Sequence, residues 1–489
     1  MMKINKLIGC LAVIAVRLHA VPAIPGDSAA SAPVTITVTN SPSCAIPEDF
    51  CGLSFGAVAE LPGHGGVPGH MFNATNEQLL TLFKNSGLHH LRLGGTTVEG
   101  TNAAIPDRSA VDDVFAFAKS AEVKVLCSFP LLNGNSASNA IMAQYIWSHF
   151  QPQLDCFALG NEPDVRRYLH PPFGFGTDPA ITNYASFLKQ WRRFAAAIVQ
   201  AAPDATFAGP DAANHAWAPM FARDEKDSRM VTLITQHYYA GGRPYIGDGP
   251  DKIPAQEAID RMLSTNWLAV KYPDLCKTTL VPVQETGLRY RLTESDDYLK
   301  GIDNASDSFA SALWALEYLH WWAARGGAGV NFHNTEWLKT DTVYFDEASR
   351  AYQIHPKAYG VKMFELGSGG RVEPVGIANP NGLNLSAYGV AATNALCVTI
   401  LNKEHGPGAR DAAVTLAFPG FSPGRAVVMF LSAPHGDIGA TGGMTLGGGA
   451  ITNNATWQGE WQPLRPGESG QLFVKVPAAS AALVKTMTH

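Results

Sequence analysis

The chain has 489 residues, 46% hydrophobic and 16% charged, with 47 glycines and 32 prolines. This describes a loop-rich folded protein of roughly two to four domains, not a disordered or fibrous chain. Its formal net charge of −6 argues against the basic face that nucleic-acid partners require and weighs against a strongly polyanionic polysaccharide.

Residues 1–32 read as a secretory signal: Lys3 and Lys6, the apolar stretch Leu7–Val16, then small residues at Ala20, Ala23, Ala30 and Ala32. That implies a secreted or periplasmic protein. No later apolar run is long enough to span a bilayer, so no membrane association is expected. Cys44, Cys51, Cys127, Cys156, Cys276 and Cys397 follow the signal, none in a metal-type CxxC spacing. Cys44 and Cys51 are close enough in sequence to close a short disulfide in an exported chain.

Val34–Thr39 alternates and is rich in β-branched residues, so residues 33–48 are expected to supply a strand to the C-terminal sheet. Residues 49–368 alternate short apolar runs with helical patterns. The expected strands are Phe50–Phe55, His90–Leu93, Lys124–Phe129, Cys156–Leu159, Thr206–Ala208, Val231–His237, Leu280–Glu285 and Gly329–His333. Helical patterns fall between them at Asn76–Ser86, Ala110–Ala121, Ala137–His149, Tyr184–Ala202, Pro254–Lys271, Ser306–Arg325 and Pro356–Leu366, with a weaker one at Ala216–Ala222. Thr75-Asn-Glu-Gln78 has capping-box spacing at the first of these. This alternation is that of a (β/α)8 TIM barrel. A doubly wound sheet is the rival, weakened because no Gly-x-Gly-x-x-Gly or phosphate-loop sequence follows a strand. From 369 to 489 the pattern becomes short strands separated by Gly, Pro and Asn, with only the last residues able to read as helix. A C-terminal β-sandwich is expected there.

Two of the expected strands end in a carboxylic acid. Phe157-Ala-Leu-Gly-Asn-Glu-Pro-Asp164 delivers Glu162 after Asn161, and Leu280-Val-Pro-Val-Gln-Glu-Thr-Gly287 delivers Glu285. Paired carboxyls at the C-terminal rim of a barrel are what glycoside cleavage requires: one protonates the departing oxygen and the other attacks. On this reading Glu162 is the acid/base, Glu285 the nucleophile, and Asn161 hydrogen-bonds the sugar. Tyr239 and His237, at the end of the sixth strand, orient the pair, and Arg92 compensates Glu285. Asn331 and His333, on the eighth strand, contact sugar hydroxyls. No cluster has metal-ligand spacing, so neither metal nor cofactor is expected.

Leu91-Arg-Leu-Gly-Gly95, Leu159-Gly-Asn-Glu-Pro-Asp164, Gln236-His-Tyr-Tyr239, Gln284-Glu-Thr286, Ser306-Asp-Ser-Phe-Ala-Ser-Ala-Leu-Trp-Ala315 and Val330-Asn-Phe-His333 together resemble glycoside hydrolase family 79, the β-glucuronidases and heparanases of clan A. The resemblance implies a retaining mechanism with Glu162 as acid/base, Glu285 as nucleophile and Tyr239 touching the nucleophile. It also places Tyr290, five residues after Glu285, where the family keeps a tyrosine on the uronate carboxylate. Arg291-Leu292 stands where that tyrosine is usually followed by Gly-Gly, so Arg289 or Arg291 becomes the candidate anion contact. The expectation is a retaining exo-β-glucuronidase acting on a carbohydrate or aryl glycoside. Its alternatives are a β-glycosidase for neutral or substituted glucosides and a carbohydrate-binding protein with an inactive barrel.

Overall fold

A computed structural model of the chain describes residues 32–39, 41–99, 106–165, 181, 183–242, 253–334, 338–419, 423–467 and 470–487. The first 31 residues of the expected signal lie outside them. The first strand, β1 (Val34–Val38), alternates buried and half-exposed residues. Eight parallel strands then close into a barrel: β2 (Cys51–Gly56), β3 (His90–Gly94), β4 (Lys124–Phe129), β5 (Leu154–Leu159), β6 (Phe207–Ala212), β7 (Val231–Tyr239), β8 (Arg289–Asp296) and β9 (Gly329–Asn334). Helices cover the outer face, so most of these strands are buried on both sides and read as unbroken apolar runs. Inside, Leu126, Cys156, Ala158, Ala208 and Leu233 form a small apolar plug.

The helices begin where side chains can satisfy their first backbone amides. Asn76, not Thr75, caps α1 (Glu77–Ser86), its Oδ1 accepting from Leu79 N at 3.3 Å. Asp107 caps α2 (Arg108–Ala121), Asn135 caps α3 (Ser136–Phe150), and a capping box of Asn183 with Ser186 opens α4 (Tyr184–Ala201). The weakest expected helix is present as α5 (Trp217–Glu225), and α6 (Ala255–Met262) follows it after the single strand β7.

The seventh expected strand is wrong. Leu280–Glu285 belongs to a helical segment running from Trp267 through α7 (Tyr272–Leu275) to α8 (Val281–Gln284). Pro273 and Pro282 lie inside it, and a proline there lacks its amide and collides with the preceding turn. The helix widens ahead of each one: Tyr272 N bonds Trp267 O and Val281 N bonds Cys276 O, five residues back. Gly287, at φ +79°, turns the chain into the true seventh strand, β8.

After β9 come a hairpin of β10 (Val343–Asp346) and β11 (Ala351–Ile354), with α9 (Phe309–Ala323) preceding β9 and α10 (Lys357–Ser368) following the hairpin. The C-terminal region has two sheets. One has the order β13 (Val375–Ala378), β1, β16 (Ala412–Ala417), β20 (Leu472–Val476). The other runs β12 (Arg371–Glu373), β14 (Leu385–Ala392), β15 (Ala395–Asn402), β21 (Ser480–Met487), β17 (Ala426–Ser432), β18 (Thr445–Leu446), with β19 (Gln462–Leu464) also on β17. Thus the ambiguous last residues form β21, a central strand. Every residue of α9 is buried, and one apolar core continues from it into Val390, Leu401, Met429 and Leu483 of the sandwich. Lys403 Nζ closes this junction, 2.8 Å from each carboxylate oxygen of Glu317. Cys44 and Cys51 are separate free thiols, the former donating to Ala323 O at 3.3 Å. Among the described residues no helix is long and apolar enough to cross a membrane.

Candidate active site

The C-terminal rim of the barrel holds a buried carboxylate cluster. Gly160 leaves β5 at φ +87° and Glu162 sits at φ +43°, a region that residues with a Cβ rarely adopt. Glu162 N donates to Asp211 O at 2.8 Å, holding the turn so that its buried carboxyl faces inward. Glu162 Oε1 lies 3.2 Å from His237 Nδ1.

The acid opposite is Glu294. The β7–β8 pairing shifts register between Gln236 and His237, making Thr293 an extra residue in β8 and bringing Glu294 beside His237. Bulges re-aim side chains in this way near functional sites. Tyr239 Oη donates to Glu294 Oε1 at 2.8 Å and Arg92 Nη1 to Glu294 Oε2 at 2.9 Å. His237 Nδ1 is 3.7 Å from that second oxygen and His333 Nδ1 3.8 Å from it. An oxygen of Glu162, one of Glu294 and a ring nitrogen of His237 all lie within 4.8 Å of one another. Further along the strand, Asp296 pairs with Lys357 and Asp297 accepts from Ser306 Oγ at 2.9 Å, fixing the end of β8.

Arg92 ties the cluster together. Besides Glu294 it donates to Ser54 Oγ at 3.0 Å, Asn161 Oδ1 at 2.7 Å and Asp211 Oδ2 at 2.9 Å. Burial alone would raise the Glu294 carboxyl, but the charges of His333, His237 and Arg92 and the Tyr239 bond hold it well below the usual range. Glu294 is therefore an anion at neutral pH. Burial would lower His237, but the charge of Glu294 and the nearby carboxylate oxygens of Asp211 and Glu162 outweigh it and push the ring up to about 10. Burial, with Arg92 and His237 and against Glu294, lowers His333.

Of the residues singled out from sequence, Glu162, Asn161, His237, Tyr239, Arg92 and His333 converge here. Five do not. Glu285 caps the end of α8 and is exposed, so Tyr239 and Arg92 contact Glu294 in its place. Tyr290 lies at the start of β8, its hydroxyl donating to Gln236 Oε1 at 2.9 Å and its ring facing Trp322 of α9. Arg289 is exposed at the opposite end, 3.8 Å from Asp155. Arg291 is buried in the barrel floor and donates to Asn331 Oδ1 at 2.8 Å and Ala328 O at 3.0 Å. Asn331 is thereby part of the floor, its Nδ2 donating to Leu53 O and to His90 Nδ1 at 2.8 and 2.9 Å. Glu294 and Asp211 were missed. The available signals were the Gly287 turn and the alternation Arg-Tyr-Arg-Leu-Thr ahead of Glu294.

Neither acid–histidine trio has the donor chemistry of a cation site. At the rim the histidine carries a proton and a guanidinium touches one carboxylate. On the floor Asp49, His90 and Asp155 also lie within 4.8 Å of one another. There His90 Nδ1 accepts from Asn331, so Nε2 carries hydrogen toward Asp155 at 3.3 Å. A metal needs a lone pair at that atom.

No family model matches the chain, and no curated protein matches it. Solved structures do. A 4-O-α-L-rhamnosyl-β-D-glucuronidase from Fusarium oxysporum 12S superposes with a TM-score of 0.67 at 18% identity, over 92% of this chain and 99% of that one. A GH51 arabinofuranosidase from Xanthomonas axonopodis pv. citri gives 0.65 at 14% identity, over 93% and 99%. A GH30 endoxylanase from Clostridium papyrosolvens C71 gives 0.57 at 13% identity, over 93% and 100%. These are likenesses of fold: a closed barrel carrying a C-terminal β domain.

Proposed function

We propose that the chain is a retaining exo-acting glycoside hydrolase in which Glu294 is the nucleophile and Glu162 the general acid and base. The observation that carries this reading is the pair itself: oxygens of the two carboxyls within 4.8 Å across the barrel mouth. Retaining enzymes keep their carboxyls about 5–5.5 Å apart, whereas inverting ones leave about 6.5–9.5 Å for a water. In the first step a Glu294 oxygen bonds the anomeric carbon as the glycosidic C–O bond breaks, and Glu162 gives its proton to the leaving oxygen. In the second, Glu162 takes a proton from water, whose oxygen bonds the anomeric carbon and releases Glu294. Arg92 and Tyr239 keep Glu294 anionic and aimed.

For the sugar, β-glucuronide is the first candidate, supported by the family 79 resemblance and the likeness to a glucuronidase. The contacts expected from Tyr290, Arg289 and Arg291 fall away, because those residues lie away from the mouth. A neutral β-glucoside is the second reading, favoured because the described cations at the mouth, Arg92 and His237, already face Glu162, Glu294 and Asp211. Aryl β-glucuronide, β-glucoside, β-galactoside and β-xyloside should be compared, with the product anomer followed by NMR. A glucoside rate well above the glucuronide rate selects the second reading, and an inverted product defeats the retaining mechanism. Glu162→Ala is expected to lose about 10²–10⁴-fold on poor leaving groups while azide restores turnover of activated ones.

A further inference from the structure

Toward the mouth, the barrel wall carries a bulge on each side of β7. The β6–β7 register skips Asp211 and the β7–β8 register skips Thr293. The two extra residues meet across the intervening strand, Thr293 Oγ1 donating to Asp211 Oδ1 at 2.6 Å. Asp211 sits at φ +53° and is fully buried, a backbone state that persists only when its surroundings impose it. Its amide donates to Thr235 Oγ1 at 3.1 Å and its carbonyl accepts from Glu162 N at 2.8 Å. Its second carboxylate oxygen receives Arg92 Nη2.

Between Asp211 and Glu162 stands His237. Nδ1 is 3.2 Å from Glu162 Oε1, and Nε2 is 3.7 Å from Asp211 Oδ1 and 3.3 Å from Arg92 Nη2. That Nη2 also bonds Asn161 and Asp211 oxygens over shorter distances. Asp211 Oδ1 is thus a carboxylate oxygen at ion-pair distance from Nε2, and through Arg92 Asp211 also holds the donor that faces that nitrogen. The charged and titratable groups facing the ring are Glu162 beyond β5, Asp211 of β6, Glu294 of β8, Arg92 of β3 and His333 of β9.

We infer that Asp211 is a positioning residue for the acid/base carboxyl: clamped by Thr293 and Arg92, it backs His237 so that the ring's Nδ1–H stays aimed at Glu162. The inference rests on the glycosidase reading. Glu162 gives up its proton only while the leaving oxygen needs it, so a displaced or neutral ring impairs that transfer, whereas Glu294 keeps its bonds to Arg92 and Tyr239 and can still attack.

Asp211→Asn keeps the shape and removes the charge. Its kcat/KM on an alkyl glycoside of the preferred sugar should fall about 10–100-fold, against less than about threefold on the 2,4-dinitrophenyl glycoside, which leaves without a proton. The imidazole resonance of His237, identified by its absence in His237→Asn, should titrate at least about one pH unit lower than in the wild type, because a carboxylate within ~4–6 Å stabilises the charged ring by that much or more. Equal losses on both leaving groups, or an unmoved titration, overturn the inference. Should Asp211→Asn not fold, Thr293→Val removes only the clamp and should give the same leaving-group bias at about 3–10-fold; no bias overturns it equally. If the wild type cleaves no glycoside, the glycosidase reading has failed, and the titration still decides whether Asp211 governs His237.

Discussion

The two ends of the barrel are built from the same parts and put them to different uses. At the floor, Arg291 and His90 stand with Asp49 and Asp155; at the mouth, Arg92 and His237 stand with Glu162, Glu294 and Asp211. The floor has two guanidiniums, Arg289 and Arg291, for its two carboxylates, and Arg291 places several donors on fixed carbonyl and amide oxygens. The mouth has one guanidinium for three carboxylates, and the deficit is met by protons. Fixed cations lock the floor, whereas protons, which can leave and return, neutralise the mouth. A buried arginine between acids is therefore not itself the sign of a reactive site. The sign is an excess of carboxylate over fixed cation.

The largest effect expected to separate the ends concerns the two glutamates that compete for one role. Glu294→Gln should lower kcat by at least about four orders of magnitude, whereas Glu285→Gln, on an exposed helix end, should leave kcat/KM within about twofold. Steady-state kinetics on the best aryl glycoside decides it, and a dead Glu285→Gln enzyme would restore the order expected from sequence.

The arginines come next. Arg92→Met leaves Glu294 and Asp211 buried without their guanidinium and should cost about 3–5 kcal/mol together with nearly all activity. Arg291→Met leaves Asn331 and Ala328 acceptors unsatisfied beside a half-exposed Asp49, for about 2–3 kcal/mol and an unchanged kcat. Denaturant unfolding paired with kinetics on each variant tests the split.

The histidines should impose opposite pH dependences on stability. His237 is raised from 6.5 to about 10 in the folded protein, so its contribution is complete below pH 6.5 and is lost as the pH climbs toward 10. His90 is lowered from 6.5, by burial and by Arg291 against Asp155. Its contribution is present above pH 6.5 and is lost on acidification. Thermal unfolding from pH 5 to 10 should show the alkaline limb flattened in His237→Asn and the acid limb in His90→Gln; limbs that do not respond would contradict the proton assignment.

The smallest effect lies where α8 turns onto the floor. A Cβ at Gly287 would meet nothing within 4 Å, so Gly287→Ala should carry only the cost of φ +79°, about 1 kcal/mol, with kcat unaltered.

The mouth was legible wherever its residues ended an apolar strand. Glu162 followed Phe157-Ala-Leu, and His237 and Tyr239 followed Val231–Thr235, so pattern and chemistry pointed to the same atoms. The seventh strand was hidden because it carries Arg289, Arg291, Glu294 and Asp296 among its eight residues. Each is paired in three dimensions, which periodicity cannot express. The decoy Leu280–Val283 was apolar with a proline inside it, features shared by a strand end and by a helix that widens around its prolines. Asp211 was invisible for a further reason: a bulge residue belongs to neither face of the two-residue repeat.

A last consequence follows from α9, the helix whose every residue is buried. Most barrel helices keep a polar stripe for solvent, and a barrel built only of those can be cut out, moved and expressed alone. This one cannot: severed after Gly370, it would bare an apolar helix and leave Glu317 without its lysine. The sandwich is in effect the missing outer wall of the barrel, and the two halves of this chain are best engineered as one unit.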